Sequence, residues 1–190
     1  MEDLHQQKKQ LRREINARVR LLPAHAKAAA SAYILRRFLA LPEYRDAHRI
    51  FLYLSMPTEP DTRPLLRRAL EDGKAVYVPK CVGDGEMLAV RIHSFNALAP
   101  GAYGILEPTD CSETIEADAL DLIVVPCVAA SKDGRRLGHG KGYYDRFLKN
   151  GADKTVCLCF AAALSDDIPT EPTDVVMHRV LTDSDPEETP

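Results

Sequence analysis

The residues best suited to chemistry lie together in one stretch, Asp133-Gly-Arg-Arg-Leu-Gly-His-Gly-Lys-Gly-Tyr-Tyr-Asp-Arg146. Four of the chain's ten glycines fall between positions 134 and 142. Glycines at 138, 140 and 142 allow backbone N–H groups to turn inward with no Cβ in the way, and a helix starting just after them adds partial positive charge. Arg135, Arg136, His139, Lys141 and Arg146 surround this cradle, so its natural guest is a phosphate rather than a lone carboxylate. A solvated glycine-rich turn with incidental charges is the bland alternative. It is weakened because glycine density and basic density coincide at a strand-to-helix junction. The loop is neither a Walker A motif, since Gly140-Lys141 is followed by Gly142 instead of Ser or Thr, nor a GxGxxG fingerprint. Tyr143 and Tyr144 offer faces for a flat ring, although one tyrosine of such a pair commonly belongs to the core.

The elements that must position this loop alternate between strand and helix. Leu4, Leu11, Ile15, Val19 and Leu22 share a helical face over 4–22, which Pro23 ends, and an alanine-rich helix follows over 24–41. Strands are expected at Arg49–Leu54, Ala75–Val78, Met87–His93, Leu122–Val125, Thr155–Phe160 and Val175–Leu181. Helices are expected at Thr62–Asp72, with Pro64 near its start and Gly73 past its end, and at Gly142–Asn150. The runs 75–78 and 122–125 are apolar on both faces, as a strand covered from both sides requires. The fold class is therefore α/β, a three-layer α/β/α arrangement with a central, mostly parallel sheet. Pro57, Pro79 and Pro126 each read as ending a strand where it opens into a loop, and ligands of open α/β sheets bind at such ends. The loops to watch are 55–61, 79–86, 126–142 and 161–174.

Composition bounds the rest. The 190 residues carry 25 Lys and Arg against 28 Asp and Glu, a net charge of −3, with 45% apolar residues and no Trp. Disorder and collagen are excluded, no apolar run approaches the roughly 20 residues of a membrane span, and the polar start lacks a signal-peptide core. The cytoplasm is the expected compartment. Residues 1–49 hold eleven basic and five acidic residues, a net +6, which leaves −9 for the other 141. A pI of about 6.1 and basic residues interleaved with aliphatic ones argue against a nucleic-acid partner. Five cysteines with no CxxC pair argue against disulfides or zinc. One domain over 1–182 is expected, followed by an acidic, disordered tail at 183–190.

The stretch RRLGHGKGYYDRFL resembles the signature of the 5-formyltetrahydrofolate cyclo-ligase (5,10-methenyltetrahydrofolate synthetase) family. Further landmarks agree in order: Lys8 or Lys9 with Leu11-Arg12, Glu59-Pro-Asp61-Thr62, Gly104-Ile105 with Glu107-Pro108, and Pro172–Asp174. The resemblance implies a fold of the sugar-phosphate isomerase and CoA-transferase type. It also implies cyclisation of 5-formyltetrahydrofolate to 5,10-methenyltetrahydrofolate, with ATP as co-substrate, Mg²⁺ as cofactor, and release of ADP and phosphate. The formyl oxygen takes the γ-phosphoryl group, the nitrogen at position 10 closes on the activated carbon, and phosphate departs. Positioning and charge neutralisation would supply most of the rate.

Residue by residue, the resemblance assigns the ATP site to Lys8, Arg12, Arg136, Leu137, Gly138, His139, Gly140, Lys141, Gly142, Tyr143 and Tyr144, with Arg136 and Lys141 central to catalysis. It assigns the folate to Leu54, Glu59 and the segment His139, Gly140, Lys141, Gly142 and Tyr143, and the metal to Asp145 and Asp174. The i, i+4 spacing of Lys8 and Arg12 puts both on one helical face, which supports the pairing independently. The Glu59 carboxylate suits the pterin's N–H groups. His139, Thr173 and His178 depart from the family pattern and put the metal neighbourhood and substrate contacts in question. The competing functions are a non-catalytic nucleotide- or folate-binding paralogue and an isomerase or CoA-transferase-like enzyme; a monomer acting on small molecules is expected in the main case.

Overall fold

The structure is a computed structural model that describes residues 3–83, 85–101 and 105–184. Gly104 and the tail residues 185–190 lie outside the described residues. Two long helices, α1 (Leu4–Arg20) and α2 (Ala24–Ala40), lead through a short α3 (Pro42–Asp46) into β1 (Arg49–Phe51). Helix α4 (Arg63–Glu71) connects β1 to β2 (Ala75–Gly83), which turns back as β3 (Glu86–Ile92). A small hairpin of β4 (Leu98–Pro100) and β5 (Leu106–Pro108) follows, then β6 (Thr114–Ile115) and β7 (Leu122–Val125). A second hairpin, β8 (Ala129–Ala130) with β9 (Arg136–Leu137), precedes α5 (Tyr143–Phe147), β10 (Thr155–Cys159) and β11 (Arg179–Thr182).

Seven strands form the central sheet in the order β11-β10-β7-β1-β2-β3-β6. The five from β11 to β2 are parallel, and β3 and β6 extend the sheet antiparallel. Helices on both faces complete the three-layer α/β/α fold. Every residue of β7 and β10 is buried, as both-face coverage demands. Ile15, Val19, Ile34 and Phe38 bring the apolar stripes of α1 and α2 to the core. Among the described residues no helix is long and apolar enough to cross a membrane.

Several boundaries differ from those read in the sequence, each for a traceable reason. Strand β1 stops at Phe51 because, after the Leu52 N–H donates to the Tyr77 carbonyl, Tyr53 and Ser55 turn to Thr62, whose hydroxyl donates to the Tyr53 carbonyl at 2.6 Å. Pro79 does not end β2, which runs on to Gly83 paired with β3. Beyond Tyr77 the neighbour β1 has already ended, so the missing proline N–H deprives no ladder bond on that side. Strand β11 begins at Arg179 instead of 175, because the N–H groups of Met177 and His178 go to the Gly134 carbonyl and the Thr155 hydroxyl. The helix expected over 142–150 is five residues of α-helix followed by a 3-10 turn, Leu148–Asn150.

Chain order reverses between β1 and β7: β1 is followed outward by β2, whereas β7 is followed by β10 and β11 on the other side. Strand-end loops part at such a switch point and leave a crevice outside the carboxyl ends.

Candidate active site at the switch point

A cavity of about 760 Å³ opens at that crevice. All four loops singled out in the sequence contribute to it, although 79–86 does so as a strand hairpin; α1 adds His5, Lys8 and Arg12, and the β4–β5 hairpin adds Ile105, Leu106 and Glu107. A second depression of about 320 Å³ lies at the opposite, amino ends of the strands, against Glu43, His48, Asp121 and Thr155. The glycine loop borders only the first.

The loop leaves β9 and reaches α5 through Gly140 and Gly142, whose φ angles of 94° and 68° are ones that residues with a Cβ rarely adopt. Arg12 lies flat against this turn. Its Nε donates to the Gly138 carbonyl at 2.8 Å, and a Cβ on Gly140 would sit 3.2 Å from its Cζ. Lys141 is exposed on the cavity rim and has no ion-pair partner among the described residues. With α5 only five residues long, its dipole adds little. The positive field here comes from Arg12, Lys141 and loop N–H groups.

Arg136 is more deeply placed than the sequence suggests, with 7% exposure. Its Nη2 donates to Asp145 Oδ1 at 2.7 Å and its Nη1 to the Pro126 carbonyl at 3.3 Å, while Nε is buried without a partner. The guanidinium lies 5.8 Å from the Tyr144 ring centre. Arg136 thus ties the start of α5 to the end of β7 as well as lining the cavity.

Lys8 and Asp174 meet directly. Lys8 Nζ lies 2.6 Å from Asp174 Oδ2 and 2.8 Å from Glu171 Oε2, with only 8% of the residue exposed. Burial opposes the charge on Lys8, but its hydrogen bonds to the Asp174 and Glu171 carboxylates, with their negative charge, outweigh it and raise the pKa. Asp145 Oδ1 also accepts at 3.4 Å from the N–H of Val175, the residue after Asp174, and both acids border the cavity. One oxygen of each, Asp145 Oδ2 and Asp174 Oδ1, has no hydrogen-bond partner among the described residues. A pair of carboxylates with open oxygens beside a phosphate cradle fits Mg²⁺, which takes one or two protein carboxylates and completes its shell with water and phosphate.

The other end of the cavity is apolar. Leu54, Tyr53, Met56, Met87, Ile105 and Leu106 line it around one buried carboxylate, Glu59, at 6% exposure. Glu59 Oε2 accepts from the Met56 N–H at 2.8 Å, and Oε1 lies 2.8 Å from His139 Nε2. The departure from the family pattern at position 139 therefore touches the proposed substrate carboxylate itself. Of the two tyrosines, Tyr144 is the core member: it packs edge-on against Phe51 at 6.3 Å, and burial raises its pKa. Tyr143 stands nearer the rim, with Arg146 5.8 Å from its ring. Leu137 is buried in β9 and supports the loop from beneath.

Every site residue chosen from the sequence borders this one cavity. Sequence reasoning missed Glu171, which shares Lys8 with Asp174, and the apolar wall of Cys81, Met87 and Leu106. The first carried a faint signal as an acid three residues before Asp174; the second carried only the placing of Cys81 in the 79–86 loop, because Leu106 joins it from a separate hairpin.

A family profile described as the 5-formyltetrahydrofolate cyclo-ligase family matches residues 4–183. The chain is 30% identical to the 5-formyltetrahydrofolate cyclo-ligase of Mus musculus over 192 residues, covering 94% of this chain and 95% of the mouse protein. It is 32% identical to the Escherichia coli K12 protein of the same name over 154 residues, or 78% and 85% of the two chains. The solved structure of Aquifex aeolicus 5,10-methenyltetrahydrofolate synthetase superposes with a TM-score of 0.83 at 30% identity, covering 94% of this chain and 90% of that one. The Mycoplasma pneumoniae synthetase shares the fold at a TM-score of 0.74 and 22% identity. With the glycine loop, the paired cations and the buried glutamate gathered in one crevice, and with the profile spanning nearly its whole length, the chain belongs to the 5-formyltetrahydrofolate cyclo-ligase family.

Proposed function

We propose that this protein cyclises 5-formyltetrahydrofolate to 5,10-methenyltetrahydrofolate at the expense of ATP. The observation that carries the reading is the polarity of the larger cavity, at the carboxyl ends of the strands. One end gathers Arg12, Arg136 and Lys141 around glycine backbone, and the other is an apolar slot closed by a buried carboxylate. A polyphosphate suits the first end and a pterin the second, and their junction at Gly140–Tyr143 is where the two substrates would meet.

In this reading Lys141, exposed on the cavity rim, neutralises charge on the transferring phosphoryl group, and Arg12 holds the loop in its turn through the Gly138 carbonyl. Arg136 fixes Asp145 and balances its charge. Glu59 accepts from the pterin's N–H groups, held in place by the Met56 amide and by His139. Tyr143 and Met87 exclude water around the reacting carbon, which protects an activated formyl group from hydrolysis. Asp145 and Asp174 would hold Mg²⁺, which when bound neutralises phosphate charge. Lys8, shared between Asp174 and Glu171 at the cavity, would add a cation for phosphate oxygens.

All of these residues belong to one chain, so the proposed site needs no residue from a second copy. All five cysteines are free, which supports a reducing compartment such as the cytoplasm. Family membership speaks against an isomerase or CoA transferase. The test is to incubate the protein with 5-formyltetrahydrofolate and Mg-ATP and to follow methenyl absorbance together with ADP. Stoichiometric appearance of both is expected. ATP binding without product would instead support the non-catalytic paralogue, and product without ATP would overturn the mechanism.

A further inference from the structure

Arg146 does not line the cavity, yet it joins the glycine loop to the β2–β3 turn through two backbone carbonyls. Its Nη2 donates to the Lys141 carbonyl at 2.7 Å, and its Nε donates to the Gly85 carbonyl, at the turn between β2 and β3, at 2.8 Å. Its guanidinium also lies against the Tyr143 ring. The approach is close enough to exclude a side chain at the turn, since a Cβ on Gly85 would lie 2.0 Å from Nη2. The turn belongs to the hairpin that brings Cys81 and Met87 to the cavity, and Lys141 and Tyr143 of the glycine loop line the same cavity. Strand β2 lacks a partner from β1 beyond Tyr77, so the outer half of this hairpin has backbone pairing on one side only.

We propose that Arg146 is a positioning residue that latches the β2–β3 hairpin to the glycine loop and so sets the width of the apolar end of the cavity. The proposal rests on the cyclo-ligase reading for which substrate feels that width, but not for the latch itself. One planar fork bridging two carbonyls is a task a lysine ammonium cannot copy, because it lacks the paired, fixed donors.

The test compares Arg146→Ala and Arg146→Lys with the wild type by hydrogen exchange and by steady-state kinetics. Arg146→Ala is expected to speed amide exchange in the hairpin over 80–88 while β7 and β10 keep their protection. It is expected to raise KM for 5-formyltetrahydrofolate about fivefold, with kcat and KM for ATP changed less than about twofold. Arg146→Lys should fall between the two. Wild-type exchange in the Arg146→Ala hairpin would overturn the latch, as would full rescue by lysine or a fall in kcat with both KM values unchanged. Exchange needs no substrate, so a hairpin that loosens in an enzyme inactive on 5-formyltetrahydrofolate would sink the cyclo-ligase reading and uphold the latch.

Discussion

The two ends of the central sheet use the same residue types for opposite purposes. At the amino ends of the strands, Asp121 accepts from the backbone N–H groups of His48 and Arg49 at 3.0 and 2.7 Å and from the Arg49 guanidinium at 2.8 Å. Lys154 donates to the carbonyls of Asp118 and Leu120, and Arg179 to Glu43. These charges fasten one strand start to the next. At the carboxyl ends the cations are held by partners that a ligand can replace: Lys8 by two acids and Arg12 by one carbonyl, while Lys141 has no ion-pair partner among the described residues. Ion pairs alone therefore do not mark a site. What separates the ends is whether each charge completes the backbone of the sheet or stands in a loop that has turned away from it.

Substitutions at the two ends should separate cleanly, and failure to do so would break the contrast. Arg136→Ala should have the largest effect, because Arg136 serves both purposes. ATP-dependent turnover should fall about 10³-fold, and stability in urea should fall by about 2 kcal/mol as Asp145 loses its buried partner. Lys141→Ala should lower kcat/KM for ATP about 10²-fold with an unchanged melting temperature, since its ammonium fastens nothing in the fold. A large loss of stability there would recast the lysine as structural. Glu59→Gln should raise KM for the folate about tenfold while leaving KM for ATP near the wild-type value, because one acceptor becomes a donor facing the pterin.

The smallest effect belongs to the structural end. The Arg49 side chain, with the backbone N–H groups of Arg49 and His48, holds the Asp121 carboxyl down to about 2, against partial burial. A carboxylate whose pKa is lowered by folding adds stability above its unfolded value near 4, and that stability is lost as pH falls through about 2. Asp121→Asn should therefore cost about 1 kcal/mol at pH 7, after allowance for solvent screening, with wild type and variant converging between about pH 4 and pH 2. Turnover at pH 7 should be unaffected. A shift in KM would show that the two ends are coupled through the sheet.

Much of this was legible in the residues. Leu122–Val125 reads as a doubly covered strand and is one, and the Pro64 and Gly73 punctuation brackets α4 within a residue at each end. The density of glycine and basic side chains over 134–146 marks the loop that borders the cavity, because glycine's φ freedom and cationic charge are local properties. Less legible were features set by competition for hydrogen bonds. The start of β11 moved because Met177 and His178 found partners outside the sheet, and β2 outran Pro79 because a neighbouring strand happened to end. The burial of Arg136 was likewise hidden, since a sequence shows a charge but not what stands over it.

Taken alone, the sequence determined the main strands and helices, where glycine and basic charge concentrate, and which family signature the chain carries, since these follow from hydrophobic period, backbone freedom and residue order. Only the tertiary structure decided that Lys8 is shared with Glu171 and Asp174, that His139 touches Glu59, and that Arg146 spans from the glycine loop to Gly85. Each of those pairs joins residues far apart in the chain. The strand order of the sheet brings them within hydrogen-bond reach, and no local pattern encodes that order.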